Sequence, residues 1–501
     1  MPGHRRRCGV ALAAALCGLY LLLLALPVHR HTVGVFSDFY RFYAPDADRI
    51  AARQFPQNTH NPPGYPALLA LASPLTGDRF SAGKWISLLA AALCGLLAFQ
   101  LHRRVFGEAP ALLAALILLT SPTFTTYAIS PMTDVPFVAL ALAAMLTMAS
   151  AQPPGWPSTI AGGLLTGAAI LFRYNGAFLL GPGLVSAVWR TGGAWPRAAA
   201  AAVYLGIVAL AVGAWAGLNH AHHGTPFRST NYIDVAKALA LHGDFRSLAD
   251  VVLADPWRFA WNYALNAGDI ALHTLGARLV LFPVGPLAVL GLGLGLLRRR
   301  GRALLVVLAG CLAFLLFMSL THWEPRYHLF LLACYAGFAG FAIAELAREA
   351  ARWWRWPVGA WLVVAALALL IALPAAGRSW RAVETVLSRQ PVELLPAADY
   401  LRRTAAPGAT VMAMRAQIAY LGGREWRELP SADSLPQLEA ALRERPPDYL
   451  VYDRWMRRLR GGLAALGTPD GEVAWLEPVY RDPAGGVVIY AVRLPRPAAP
   501  R

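Results

Sequence analysis

The chain has 501 residues, 57% of them hydrophobic and 15% charged, with 45 basic and 28 acidic side chains for a formal net charge of +17. Soluble domains average about 25% charged residues. That excludes a soluble globular protein, a disordered chain, a collagen-like repeat and a disulfide-stapled secreted fold, and leaves an α-helical polytopic membrane protein.

Apolar windows suited to crossing ~30 Å of hydrocarbon recur through the first 375 residues: 8–28, 82–101, 110–129, 135–150, 158–172, 176–189, 198–218, 276–297, 303–320, 327–345 and 357–375. About eleven transmembrane helices are expected. The first window follows His4-Arg5-Arg6-Arg7. Its apolar run exceeds the ~7–15 residues of a signal-peptide core and lacks a small-x-small site, so an uncleaved anchor is expected.

Arginine placement sets the expected orientation. With the N-terminus inside, the inner turns hold Arg5–Arg7, Arg103, Arg104, Arg190, Arg197, Arg298–Arg300, Arg302, Arg348, Arg352 and Arg355, against only Glu108, Glu345 and Glu349. Most of the positive charge is therefore a positive-inside signal, and nucleic acid is not a partner. Lys84 and Lys237 are the only lysines, which with abundant Ala, Gly and Pro reads as a GC-rich bacterial genome. The expected location is the bacterial inner membrane, with an odd span count placing the tail in the periplasm.

Two outside loops are long, about 29–81 and 219–275. Pro45–Phe55 in the first, and the second with Trp257, Phe259, Trp261 and Tyr263 near Arg258, suit short helices in the membrane interface. After Pro374 the composition turns polar, with helical patterns at Leu394–Arg403 and Ser434–Arg445 between the short apolar runs Thr410–Met414, Tyr449–Tyr452 and Val487–Val492. The expected domains are thus 1–375, in the membrane, and 376–501, a small periplasmic α/β domain.

Chemistry-bearing residues gather at the outer helix ends. Ser37-Asp38-Phe39-Tyr40-Arg41-Phe42-Tyr43 follows the first span; an acid beside aromatics near hydrocarbon suits a general base, unless it is simply a solvated loop carboxylate. His60-Asn61-Pro62-Pro63 begins a rigid return to the membrane, and His60 suits phosphate or metal. Asp134, in Ser130-Pro131-Met132-Thr133-Asp134, is an acid at a membrane boundary or a helix cap. Arg173-Tyr174 and Glu324-Pro325-Arg326-Tyr327 suit a lipid-linked phosphate, which a guanidinium grips as a fork, or snorkel to headgroups.

In their order and shared side these motifs resemble the C-type (GT-C fold) integral-membrane glycosyltransferases, on the branch related to aminoarabinose transferases and protein mannosyltransferases. The resemblance spans nearly the whole chain. It implies Asp38 as the acid that activates the acceptor, Asp134 as assisting in acceptor or metal binding, and Arg326 as holding the carrier phosphate. Arg173, Tyr327 and His60 are further candidates for that phosphate; Tyr40, Tyr43 and Glu324 are candidates for acceptor binding or positioning. A divalent cation is left open. Asn61 stands where aminoarabinose transferases carry Lys, His328 replaces a proline that often follows the late Arg-Tyr, and Asp38 is single where mannosyltransferases have an Asp-Glu pair.

The expected function is transfer of a sugar from a polyprenyl-phosphate donor to a lipid, glycan or protein acceptor, among membrane lipids. The alternatives are a transporter and a non-enzymatic envelope scaffold. A transporter usually places its ionisable groups near the midplane of two related halves, a pattern not visible here. A scaffold would be indifferent to Asp38 but would need the tail.

Overall fold

The computed structural model describes residues 2–58, 60–149, 155–190, 193–227, 231–298, 301–353, 360–468 and 473–495. The chain divides into two compact units: Met1–Arg30 with Arg53–Leu387, and His31–Ala52 with Ser388–Arg501.

The first unit is helical: α1 (Pro2–His29), then α3 (Gly64–Thr76), α4 (Arg79–Phe106), α5 (Glu108–Leu119), α6 (Pro122–Ala128), α7 (Asp134–Met148), α8 (Trp156–Phe172), α9 (Leu180–Val188), α10 (Ala194–His223), α11 (Asn231–Ala238), α12 (Leu248–Ala254), α13 (Pro256–Leu275), α14 (Val284–Leu297), α15 (Gly301–Met318), α16 (Leu329–Trp353) and α17 (Ala360–Ser388); α2 (Ala44–Ala51) falls in the second unit. Among the described residues six of these helices, α1, α4, α10, α15, α16 and α17, are long and apolar enough to cross a membrane. The pair α5 and α6 makes a seventh such stretch, bent by 64°, and α7, α8 and α14 are shorter apolar helices. Among the described residues each of the eleven apolar windows contains helix, although residues 276–283 form turns before α14. The chain is a polytopic α-helical membrane protein.

Helix α16 is the centre of this unit. Its apolar window is 94% buried, against 17–22% for α1, α10 and α17. Small residues allow that packing: a Cβ on Gly340 would meet the Pro110 carbonyl at 2.5 Å, so α5 and α16 touch backbone to backbone there. The break between α5 and α6 has a local cause. Pro122 opens α6, where its missing N–H costs nothing, and it forces Ser121 into an extended conformation (φ −71°, ψ 125°).

The second unit is a five-stranded sheet, β1 (Thr410–Ala413), β2 (Glu425–Glu428), β3 (Tyr449–Tyr452), β4 (Leu476–Arg481) and β5 (Val488–Val492), in the order β2-β1-β3-β5-β4. β1 runs parallel to both β2 and β3, while β5 pairs antiparallel with β3 and β4. Alternate residues face opposite layers. Val411, Ala413, Val451 and Ile489 pack on α18 (Leu394–Thr404) and α19 (Gln417–Leu421); Met412, Leu450, Tyr452 and Tyr490 pack on α20 (Leu435–Glu444) and α21 (Arg454–Leu459). Helix α2 belongs here too, burying Ala44, Asp46 and Ala47.

Candidate functional site

Three helix ends of the first unit bring five of the candidate residues together. Asp134 begins α7; its carboxylate, at the positive end of the helix dipole, is 1% exposed. The cap reading does not describe it. Thr133 holds the N-cap position without a side-chain cap bond, and Asp134 Oδ1 instead accepts a 2.6 Å hydrogen bond from Arg173 Nη1, which also donates to Thr133 Oγ1 at 3.0 Å.

Arg173 is placed by the end of α8. Its backbone is extended (φ −152°, ψ 129°) and a tight turn over Tyr174–Leu179 follows. That turn packs onto the last turns of α8 through Gly176, where a Cβ would stand 2.7 Å from the Ala169 carbonyl carbon. Only glycine permits the approach.

Arg326 comes from the turn before α16. Pro325 holds Glu324 extended (φ −148°) and opens a short helical turn, Pro325–His328. Arg326 Nε lies 2.9 Å from Glu324 Oε1, and Arg326 Nη2 donates to Tyr327 Oη at 3.1 Å. The Arg173 and Arg326 guanidinium carbons both lie over the Tyr327 ring, 5.2 Å and 4.9 Å from its centroid. Aromatic faces attract cations at such distances. The two arginine side chains are 19% and 13% exposed.

Formally, two guanidiniums balance two carboxylates. His322 adds a titratable edge: its Nε2 is 3.9 Å from Glu324 Oε2, and its ring meets Tyr327 edge-on. Contact with the Glu324 carboxylate pushes the His322 imidazole up despite partial burial. Burial alone would raise the Glu324 carboxyl, but His322 and Arg326 outweigh it and hold it below the ordinary carboxylate range.

Tyr127, not singled out from the sequence, joins this group; Asp134, Glu324, Arg326 and Tyr327 all act on it electrostatically. Its signal was its place on the short helix just past the Ser-Pro break. His328 is fully buried, stacked on Trp323 at 4.5 Å, with Nδ1 3.0 Å from the Glu324 carbonyl oxygen. His60 is on the loop before Pro62-Pro63, where its backbone N–H donates to Asn58.

Asp38, Tyr40 and Tyr43 belong to the second unit. Asp38 precedes a wide helical turn, Phe39–Tyr43. Tyr40 is 1% exposed and its hydroxyl accepts the Gly34 N–H at 2.8 Å; Tyr43 is also buried. Tyr40 therefore braces the segment that carries Asp38. Among the described residues no group of three or more His, Cys, Asp or Glu is arranged to hold a metal ion.

This architecture is the fold of the C-type integral-membrane glycosyltransferases. ArnT from Cupriavidus metallidurans, solved bound to undecaprenyl phosphate, superposes with a TM-score of 0.60 at 16% identity, over 98% of this chain and 99% of that one. The archaeal oligosaccharyltransferase AglB from Archaeoglobus fulgidus, in complex with an inhibitory peptide and a dolichol-phosphate, gives 0.61 at 14% identity, over 95% and 74%. The mycobacterial arabinofuranosyltransferase AftD gives 0.50 at 18%, over 98% and 42%. In sequence, residues 60–216 match the model of the dolichyl-phosphate-mannose-protein mannosyltransferase family. No curated protein matches the chain.

Proposed function

We propose that this chain is a membrane glycosyltransferase that moves a sugar from a polyprenyl-phosphate carrier to an acceptor hydroxyl on a lipid, glycan or protein. The observation that carries the reading is the pair of enclosed guanidiniums over the Tyr327 ring. Planar forks of N–H donors suit the non-bridging oxygens of a phosphate, and a shielded cation pair stabilises the charge that grows on a departing phosphate. The polyprenyl phosphates bound by ArnT and AglB support that choice of carrier.

In the reaction, the acceptor oxygen bonds to the anomeric carbon while the bond from that carbon to the carrier phosphate breaks. The electron pair leaves on the phosphate oxygen, held by Arg326 and Arg173. Asp38 takes the acceptor proton as general base, and single displacement inverts the anomeric centre. Asp134 and Glu324 orient the two arginines.

The proposed setting is the bacterial inner membrane, N-terminus inside and the sheet-bearing tail in the periplasm, where lipid-linked sugars are the available donors. Comparative mass spectrometry of glycolipids and polysaccharides from a deletion strain tests the function. One missing sugar mass, restored by the wild-type chain, is expected. An unchanged glycan profile, with solute flux through reconstituted vesicles, would overturn it.

A further inference from the structure

The strand order of the second unit contains a switch of the type at which open α/β sheets bind ligands. β1 leads through α19 to β2 on one side, and the chain returns through α20 to β3 on the other; α19 and α20 pack on opposite faces. The gap beyond the C-terminal ends of β1 and β3 is thus a topological switch point, the usual ligand position in such sheets. Arg415 follows β1 there, and Asp453 follows β3.

Both side chains are committed to this crevice. The Arg415 guanidinium lies 4.5 Å from the centroid of the Trp455 ring and interacts with the charge of Asp453, whose Oδ1 caps α21 through the Trp455 and Met456 N–H groups. What meets them is the chain's own first loop. Arg415 Nη1 donates to the Val35 carbonyl at 2.9 Å, and Gln417 Nε2 lies 3.3 Å from the Gly34 and Val35 carbonyls. Gln390 Oε1 accepts the Thr32 and Val33 N–H groups at 2.6 and 3.2 Å. Arg415 also feels the charge of Asp38.

Residues 32–35 have neither helix nor strand partners, so buried peptide groups there must find other ones. Side chains of the sheet unit supply them. Two further ties hold the segment after Asp38: Arg41 to Glu428 at 2.8 Å and Tyr420 Oη to Asp48 at 2.9 Å.

We propose that Arg415 and Gln417 are positioning residues for Asp38: the sheet unit uses its switch-point crevice to grip residues 33–38 of its own chain and so aims the acid. The proposal rests on the reading of Asp38 as general base.

The test uses the full-length protein in lipid vesicles carrying Gln417→Leu, which keeps volume but removes the donor, or Arg415→Lys and Arg415→Ala. Losing these hydrogen bonds is expected to raise amide exchange over residues 33–38 roughly tenfold, and to lower kcat by a similar factor at unchanged donor KM. Arg415→Lys is expected to recover part of both. Unchanged exchange in Gln417→Leu overturns the grip, and faster exchange with unchanged kcat overturns the positioning role. If Arg415→Ala does not fold, Gln417→Leu decides alone. Full activity in Asp38→Asn would defeat the base assignment while leaving the exchange result standing, so the two failures are distinguishable.

Discussion

Arg173 and Asp134 form a 2.6 Å ion pair in which the carboxylate is almost completely enclosed. The pair ties the end of α8 to the start of α7 and fixes one of the two guanidiniums beside Tyr327. Breaking one side of such a pair strands a charge; removing both removes the problem. Asp134→Ala is expected to cost about 3 kcal/mol of stability, seen as a lowered thermal unfolding midpoint in detergent. The double change Asp134→Ala with Arg173→Met is expected to regain most of that stability yet stay inactive. A double variant as unstable as the single one would mean that the site depends on the ions for its fold.

Arg326 separates carrier binding from snorkelling. A lysine keeps the charge but cannot form two parallel hydrogen bonds to a phosphate. Arg326→Lys is expected to raise donor KM, and Arg326→Ala to be nearly inactive. Donor-titration kinetics on reconstituted protein make the comparison. Wild-type donor KM and turnover in Arg326→Lys would remove Arg326 from the phosphate role.

Asn matches Asp38 in shape but cannot accept a proton. Asp38→Asn is expected to lose roughly 10²–10⁴ in turnover, as general-base losses do, with normal membrane insertion and unchanged donor binding. Near-normal turnover would end the assignment.

The turn before Arg326 carries its own pH dependence. His322 has a raised pKa in the folded protein, so its contribution is complete below the ordinary value of 6.5 and is lost as pH rises through the elevated one. Glu324, held low, contributes fully above its ordinary 4.5 and loses that contribution as pH falls through its depressed value. The turn is therefore expected to be tightest between 4.5 and 6.5. The fluorescence of Trp323, which stacks on His328, should report loosening on either side, assigned by comparison with Trp323→Phe. His322→Gln should abolish the alkaline limb alone. An unchanged alkaline limb in that variant would exclude His322 as its source. The effect is small, because His322 is more than half exposed to screening solvent.

Much of the first unit was legible because span-length hydrophobicity is a local property. The acids and Arg-Tyr pairs could likewise be assigned to helix ends, and four of them, Asp134, Arg173, Glu324 and Arg326, meet around Tyr327. What local pattern did not reveal is long-range. Window 110–129 reads as one span, though Ser121-Pro122 bends it by 64°. Helix α3 was hidden inside a long loop, since its 13 residues are too few for a span. The segment from His31 to Ala52 looked like part of that loop; its partners, among them Gln390, Arg415 and Gln417, lie more than 350 residues away in sequence. No periodicity encodes such a contact.

That separation has a consequence in time. The ribosome releases residues 31–52 early, while Ser388 and everything after it are still untranslated. At about 5–20 residues per second, the candidate base must wait on the order of tens of seconds for the sheet that holds it. Throughout that interval the helices can insert and the arginine cluster can form, but the acid segment has no fixed place. A chain cut short before its last strands would thus carry residues 31–52 without the sheet that holds them. Completion of synthesis, rather than insertion, is then the step at which residues 31–52 gain their partners.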